Sequence, residues 1–268
     1  MSDHRPIGVF DSGIGGLTVL KAIHERLPRE SLIYLGDTAR VPYGTKSRET
    51  VVRYSINNAD ALLARDVKMV VIACNTASAY ALAEVVEHAG RAPVIGVIEG
   101  GVTAAVKATH QAVGVIGTEA TIASGAYEKG IAATGAAISV ISKPCPLFVG
   151  LAEEGWNDNE VALATAHRYL DEMRGMIDTL VLGCTHYPVL KSVIGEVMGP
   201  SVRLIDSAEE TAAVVERRLT ESNLLTDSPH KGKVDCLVTD SPERSLRLAQ
   251  TLLGPHIDID SLSLIDIR

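Results

Sequence analysis

Two cysteines carry the strongest chemical signal in this chain. Met69-Val-Val-Ile-Ala-Cys74 is an apolar run that ends in a thiol and continues into Asn75 and Thr76. Thr179-Leu-Val-Leu-Gly-Cys184 does the same and continues into Thr185 and His186. Each reads as a buried strand stopping at a cysteine where a helix begins, a place where the dipole and free amides favour a thiolate. One cysteine so placed is more often a small buried hydrophobe. Two in matched settings, each followed by hydrogen-bonding side chains, point to function. His186 can take the Cys184 proton or return it. Two thiols on opposite sides of one carbon suit removal of a proton from one face and delivery to the other. No cofactor is expected, because no electron-sink motif is present and no lysine has a Schiff-base setting. Donors such as Ser12, Asn75, Thr76 and Thr185 would then have to stabilise the carbanion-like state.

Other polar residues follow strand-like runs. Asp11 and Asp37 could orient an ammonium group or hold a thiol proton, or could merely cap helices. Gly13, Gly15 and Gly16 allow a tight turn with amides open to an anion, although neither GxGxxG nor GK[ST] is present. Tyr43-Gly44 could offer backbone donors to a carboxylate or simply close the turn begun by Pro42. Glu153 and Glu154 precede a glycine and a helix, and Glu99 could edge a site. Cys145, between prolines, and Cys236, inside a strand pattern, read as structural. A metal site from Cys74, Cys184 and His186 matches no known ligand spacing, so none is expected.

Positioning these groups requires strands that end on one side. Strand candidates are 7–10, 31–35, 69–73, 94–97, 113–116, 138–141, 179–182, 202–205 and 234–238. Helical spacing falls between most of them, at 17–27, 47–65, 78–89, 158–175, 189–198 and 207–218. Repeated βα order predicts parallel sheets with ligands beyond the carboxyl ends of the strands. The two cysteine segments, together with the likeness of Pro6-Ile-Gly-Val-Phe-Asp11-Ser to Ala112-Val-Gly-Val-Ile-Gly117-Thr, predict two similar α/β lobes. Each would be a parallel-type sheet flanked by helices, related by a pseudo-twofold with the site between them. The expected limits are 1–98 plus 208–268 for the Cys74 lobe and 99–207 for the Cys184 lobe, with a Gly-rich connection at Ile98–Gly101. Residues 222–233 read as an exposed loop.

The composition agrees. The chain has 268 residues, 46% hydrophobic and 22% charged, which suffices for a core; aromatics at 4% leave Ala, Val, Ile and Leu to build it. A net charge of −8 with no basic stripe argues against nucleic acid. No apolar stretch is long enough for a membrane span, no export signal is evident, and a cytoplasmic protein with free thiols is expected.

The motifs together carry a family resemblance. Val9-Phe-Asp-Ser-Gly-Ile-Gly-Gly16, Gly36-Asp-Thr-Ala-Arg-Val-Pro-Tyr-Gly44, Ala73-Cys-Asn-Thr-Ala-Ser78, Val97-Ile-Glu-Gly-Gly101 and Gly183-Cys-Thr-His-Tyr-Pro188 stand in the order and spacing of the aspartate/glutamate racemase family. The chain resembles the glutamate racemases of that family over roughly residues 5–220. The resemblance implies cofactor-independent interconversion of L- and D-glutamate, supplying D-glutamate for peptidoglycan precursors. Cys74 would act on the α-proton of D-glutamate and Cys184 on that of L-glutamate. Asp11 and His186 would assist the thiols, with Asp37 and Glu153 in support. Asp11, Ser12, Tyr43, Gly44, Asn75, Thr76, Thr185 and His186 would line the substrate, and a homodimer is implied. About six residues precede the first strand, so activation by a precursor nucleotide through an N-terminal extension is not expected. The competing readings are an aspartate racemase and an anion-binding regulatory α/β module with inert cysteines. If functional, both cysteines should react quickly with thiol reagents.

Overall fold

In a computed structural model that describes residues 2–253 and 259–267, the apolar runs form two all-parallel sheets. The outer ends of the expected first lobe, Met1 and Arg268, and its residues 254–258 lie outside the described residues. The first sheet runs in the order β10-β9-β2-β1-β3-β4. Its strands are β1 (Ile7–Asp11), β2 (Leu32–Gly36), β3 (Met69–Ile72), β4 (Val94–Gly96), β9 (Val234–Val238) and β10 (Ser261–Leu264). The second runs β6-β5-β7-β8, from β5 (Ala112–Gly117), β6 (Ser139–Pro144), β7 (Thr179–Gly183) and β8 (Arg203–Asp206). β10 and its pairing with β9 have no counterpart in the sequence reading.

The lobes repeat one plan because each central strand is flanked in the same way. β1 lies between β2 and β3, with Asp11 opposite Gly36 and Phe10 opposite Ile72. β5 lies between β6 and β7, with Gly117 opposite both Pro144 and Gly183. Ser12 and Cys74 therefore emerge side by side from one sheet, and Thr118 and Cys184 from the other. Parallel strands buried on both faces read as continuous Val/Ile/Leu runs, as these do.

Helices cover both faces. α1 (Leu17–Arg26) and α10 (Ala208–Glu221) bury Leu20, Ile23, Val214 and Leu219 against one face of the first sheet. α2 (Arg48–Leu63) and α3 (Asn75–Ala89) bury Val51, Leu62, Ala77 and Ala81 against the other. Each buried Val, Leu or Ile side chain among these contributes about 1.5–3 kcal/mol by leaving water. α8 (Glu160–Leu170) and α9 (Lys191–Met198) cover one face of the second sheet; α4 (Val97–Ala108) and α6 (Ala126–Ala133) cover the other. Among the described residues no helix is long and apolar enough to cross a membrane.

Two expectations are corrected. Ile98–Gly101 is not a loose Gly-rich joint but the start of α4, the helix through which the chain passes from the first sheet to the second. A Cβ on Gly100 would lie 2.7 Å from the Thr211 amide nitrogen, and one on Gly101 would lie 2.9 Å from the Tyr127 ring. These glycines allow α10 and Tyr127 to approach the helix, which from sequence alone looks like a flexible joint. The segment 222–233 is not wholly an exposed loop either. Leu224 and Leu225 pack on the first core, and Lys68 Nζ donates to the Leu224 carbonyl at 2.7 Å. Lys68 is fully buried and paired with Glu30 at 2.6 Å, whose Oε1 accepts from the Thr226 amide at 2.8 Å.

Candidate active site

The carboxyl ends of the two sheets face one another across a cleft of about 290 Å3. Ser12, Tyr43, Gly44, Cys74, Asn75, Thr76, Cys184, Thr185 and His186 all line it, joined by Pro42, Thr118 and Val149. Both sulfurs are thus on one cavity, one from each lobe, with Cys74 5% and Cys184 7% exposed. They are not equivalent in local structure. Cys74 caps α3, its Sγ accepting from the Ala77 amide at 3.5 Å. Cys184 precedes a 3-10 turn (Tyr187–Leu190), with Pro188 in its first positions, rather than an α-helix.

Each thiol has its own partners. Cys74 donates to Ser12 Oγ at 3.6 Å. Burial and the Asp11 charge push this thiol up to about 12, against the opposing pull of the Ala77 amide and Ser12. Cys74 is therefore a protonated thiol at neutral pH, and fast reaction with thiol reagents no longer follows from a functional role. Buried Cys145 and Cys236 are also pushed up to about 12, chiefly by burial, yet neither lines the cleft. Position, not acidity, separates Cys74 from these two.

Cys184 Sγ stands 3.8 Å from His186 Nδ1, and His186 Nε2 stands 3.5 Å from Glu153 Oε1. Burial opposes charge on this imidazole, but its bonds to Cys184 and Glu153 and the field of Cys184 and Asp11 lift it to about 10. His186 in turn holds Glu153 below the usual carboxylate range. Glu154 ends α7 (Leu147–Glu153) and lines a separate outer cleft, so Glu153 is the carboxylate that meets His186.

Asp11 and Asp37 are fully buried and lie behind the cleft lining. Asp11 Oδ2 accepts from the Gly13 and Gly16 amides, both at 3.1 Å, and Oδ1 from Thr185 Oγ1 at 3.4 Å. Burial nevertheless raises its carboxyl. The glycine turn thus gives those two amides to Asp11, not to a bound anion. Gly15 is required by close approach: a Cβ there would lie 2.6 Å from Thr185 Oγ1.

The Asp37 carboxylate is enclosed by Arg40 Nε at 2.7 Å, Thr239 Oγ1 at 3.0 Å and the Tyr43 hydroxyl. Tyr43 also accepts from Asn58 Nδ2 at 3.0 Å. Asp37 therefore supports the wall that presents Tyr43-Gly44. Tyr43→Phe would leave a buried carboxylate and a buried amide each short of a partner. An expected loss of about 1–3 kcal/mol follows, measurable by denaturant titration, and an unchanged midpoint would contradict it.

Asn75 Oδ1 accepts from Tyr127 at 2.7 Å, while its buried Nδ2 has no partner among the described residues and remains available to a ligand. Thr118 escaped the sequence reading. Its hydroxyl lies 2.9 Å from both Thr76 and Thr121, closing a hydroxyl cluster across the lobes. The signal was available, because Thr118 follows β5 as Ser12 follows β1.

Comparison with known proteins gives a consistent picture. The family model described as Asp/Glu/Hydantoin racemase matches residues 7–215. A glutamate racemase from Geobacter metallireducens is 53% identical over 263 residues, 97% of each chain. The crystal structure of glutamate racemase from Francisella tularensis in complex with D-glutamate superposes with a TM-score of 0.92 at 40% identity, covering 98% of both chains. A glutamate racemase isoform from Bacillus anthracis gives a TM-score of 0.92 at 38% identity, again over 98% of both.

Proposed function

The chain belongs to the Asp/Glu/Hydantoin racemase family, among its glutamate racemases, and from that premise we propose a two-thiol mechanism for the cleft. The protein is an isomerase that interconverts L- and D-glutamate without a cofactor and supplies D-glutamate for peptidoglycan synthesis. The observation that carries the mechanism is the shared cavity: two sulfurs, one from each lobe, reach the same cleft.

For L-glutamate, Cys184 sulfur takes the α-proton and the Cα–H electron pair passes into the α-carboxylate. The planar intermediate then receives the proton of the Cys74 thiol on its other face, giving D-glutamate. The reverse reaction exchanges the two roles. His186 steadies the charge on Cys184 and relays its proton, whereas Asp11, whose charge keeps the Cys74 thiol protonated, assists Cys74 as its proton acceptor. Asn75 Nδ2, Thr76 and Thr185 hold the α-carboxylate. Ser12 and the Tyr43 and Gly44 amides, which open a 3-10 turn and have no partner within it, hold the distal carboxylate. Asp37 and Glu153 support Tyr43 and His186.

The reading includes lobes of residues 1–98 with 208–268 and 99–207, supported by which strands share a sheet, and a homodimer and action in the cytoplasm, supported by family resemblance. Incubation of each enantiomer in deuterium oxide is the test. Loss of optical rotation with α-deuterium in both enantiomers is expected, with aspartate turned over far more slowly. Preference for aspartate would overturn the substrate, and retention of the α-hydrogen would overturn the reaction.

A further inference from the structure

The C-terminal helix α11 (Pro242–Leu253) packs with α1 and β10, on the first lobe. Its start is tied to the wall that carries Asp37 and Tyr43. Thr239 Oγ1 donates to Asp37, and Thr38 Oγ1 both donates to the Asp240 carbonyl at 2.7 Å and accepts from its amide at 2.8 Å. Ser241 then turns the chain into the helix at a φ of 48°, a left-handed conformation fixed by its amide's bond to Asp240 Oδ1 at 2.7 Å. One turn on, Arg244 Nη2 reaches Glu153 Oε2 of the second lobe at 3.7 Å. The other oxygen of that carboxylate is the one facing His186.

This bridge stands apart from the covalent crossings. The chain passes between the sheets through α4 and α10, whose seam carries its own pairs, Lys107–Glu210 at 3.1 Å and Arg217–Glu99 at 2.9 Å. Arg244–Glu153 instead joins the lobes beside the cleft, where Gly13, Thr38, Val41 and Glu153 line a neighbouring opening of about 460 Å3. With Arg244 56% and Glu153 26% exposed, the pair is too well solvated to matter much for folding. What it can do is fix direction.

We infer that Arg244 is a positioning residue of the reaction, holding the Glu153 carboxylate against His186 and so aligning the Cys184 side of the cleft when the lobes are closed. The inference rests on the two-thiol reading. Its geometric part does not depend on turnover. The charged groups around Glu153 are His186 from the turn after β7, Arg244 and Arg247 from α11, Glu154 from its own helix, and Asp240 across the opening.

Two measurements on the full chain test it. In 15N-histidine NMR, Arg244→Gln should move the His186 titration to lower pH, Arg244→Lys should restore most of the shift, and Arg244→Gln should add nothing in a Glu153→Gln background. In steady-state assays Arg244→Gln should lower kcat/KM for both enantiomers about 10-fold. A His186 titration unmoved or moved upward, or an equal loss in the Glu153→Gln background, would overturn the positioning role. Wild-type protein inactive on glutamate, with the NMR shift intact, would instead overturn the functional reading alone.

Discussion

Cys184→Ser should wash deuterium into D-glutamate without inverting it and leave L-glutamate untouched; Cys74→Ser should do the opposite. Each variant keeps one thiol on the cleft, so each can still remove a proton from one face and return it there. What it loses is the group on the other face, because a serine hydroxyl is far too weak an acid or base to replace a thiol. Racemisation should fall on the order of 10³-fold in either variant. Since the enantiomers are equal in free energy, kcat/KM must fall equally in both directions, and only exchange can reveal which sulfur serves which face. Exchange of D-glutamate should also depend on pH. The Cys74 thiol is pushed up to about 12, first by burial and then by the Asp11 charge. Exchange of D-glutamate by Cys184→Ser should therefore climb steadily on the alkaline side. Full racemisation in either variant would refute the two-thiol scheme.

The second large effect belongs to His186. Its folded-state value of about 10 lies above the ordinary 6.5, because Cys184 and Glu153 outweigh the burial that opposes its charge. A raised cation contributes stability that is complete below pH 6.5 and is lost as pH rises through about 10. Wild-type thermal stability should thus decline between pH 7 and 10, and His186→Gln should flatten that decline. A slope that His186→Gln leaves unchanged would show that His186 is not the responsible group. Activity should fall about 10²-fold in His186→Gln. His186→Asn should retain more, because its amide can sit where Nδ1 does, 3.8 Å from the sulfur. Equal activity in the two variants would mean that the Cys184 contact is not the one that counts.

Much of this site is legible in the amino-acid sequence. βα alternation and apolar strand runs are local properties, and in a parallel sheet the strand ends all open on one side. Residues after a run, such as Ser12, Cys74, Asn75, Cys184 and Thr185, are thereby committed to the crevice. The pseudo-repeat held the signal for Thr118 too, in its match with Ser12, although the residue was passed over. Helix α4 was missed because glycine in sequence signals a turn, whereas Gly100 and Gly101 serve close packing against Thr211 and Tyr127.

The sequence by itself determined the order of elements, the parallel sheets and the paired thiols at strand ends, since chain geometry dictates where a strand's last side chains emerge. Only the tertiary structure decided what each polar group bonds. Asp37 meets Thr239, 202 positions away, and Asp11 meets Thr185, 174 away. The glycine-turn amides face Asp11, and Arg244 crosses to Glu153 from the other lobe. A buried donor or acceptor is satisfied by whatever folding brings within about 3 Å, and no local pattern encodes a partner that distant in the chain.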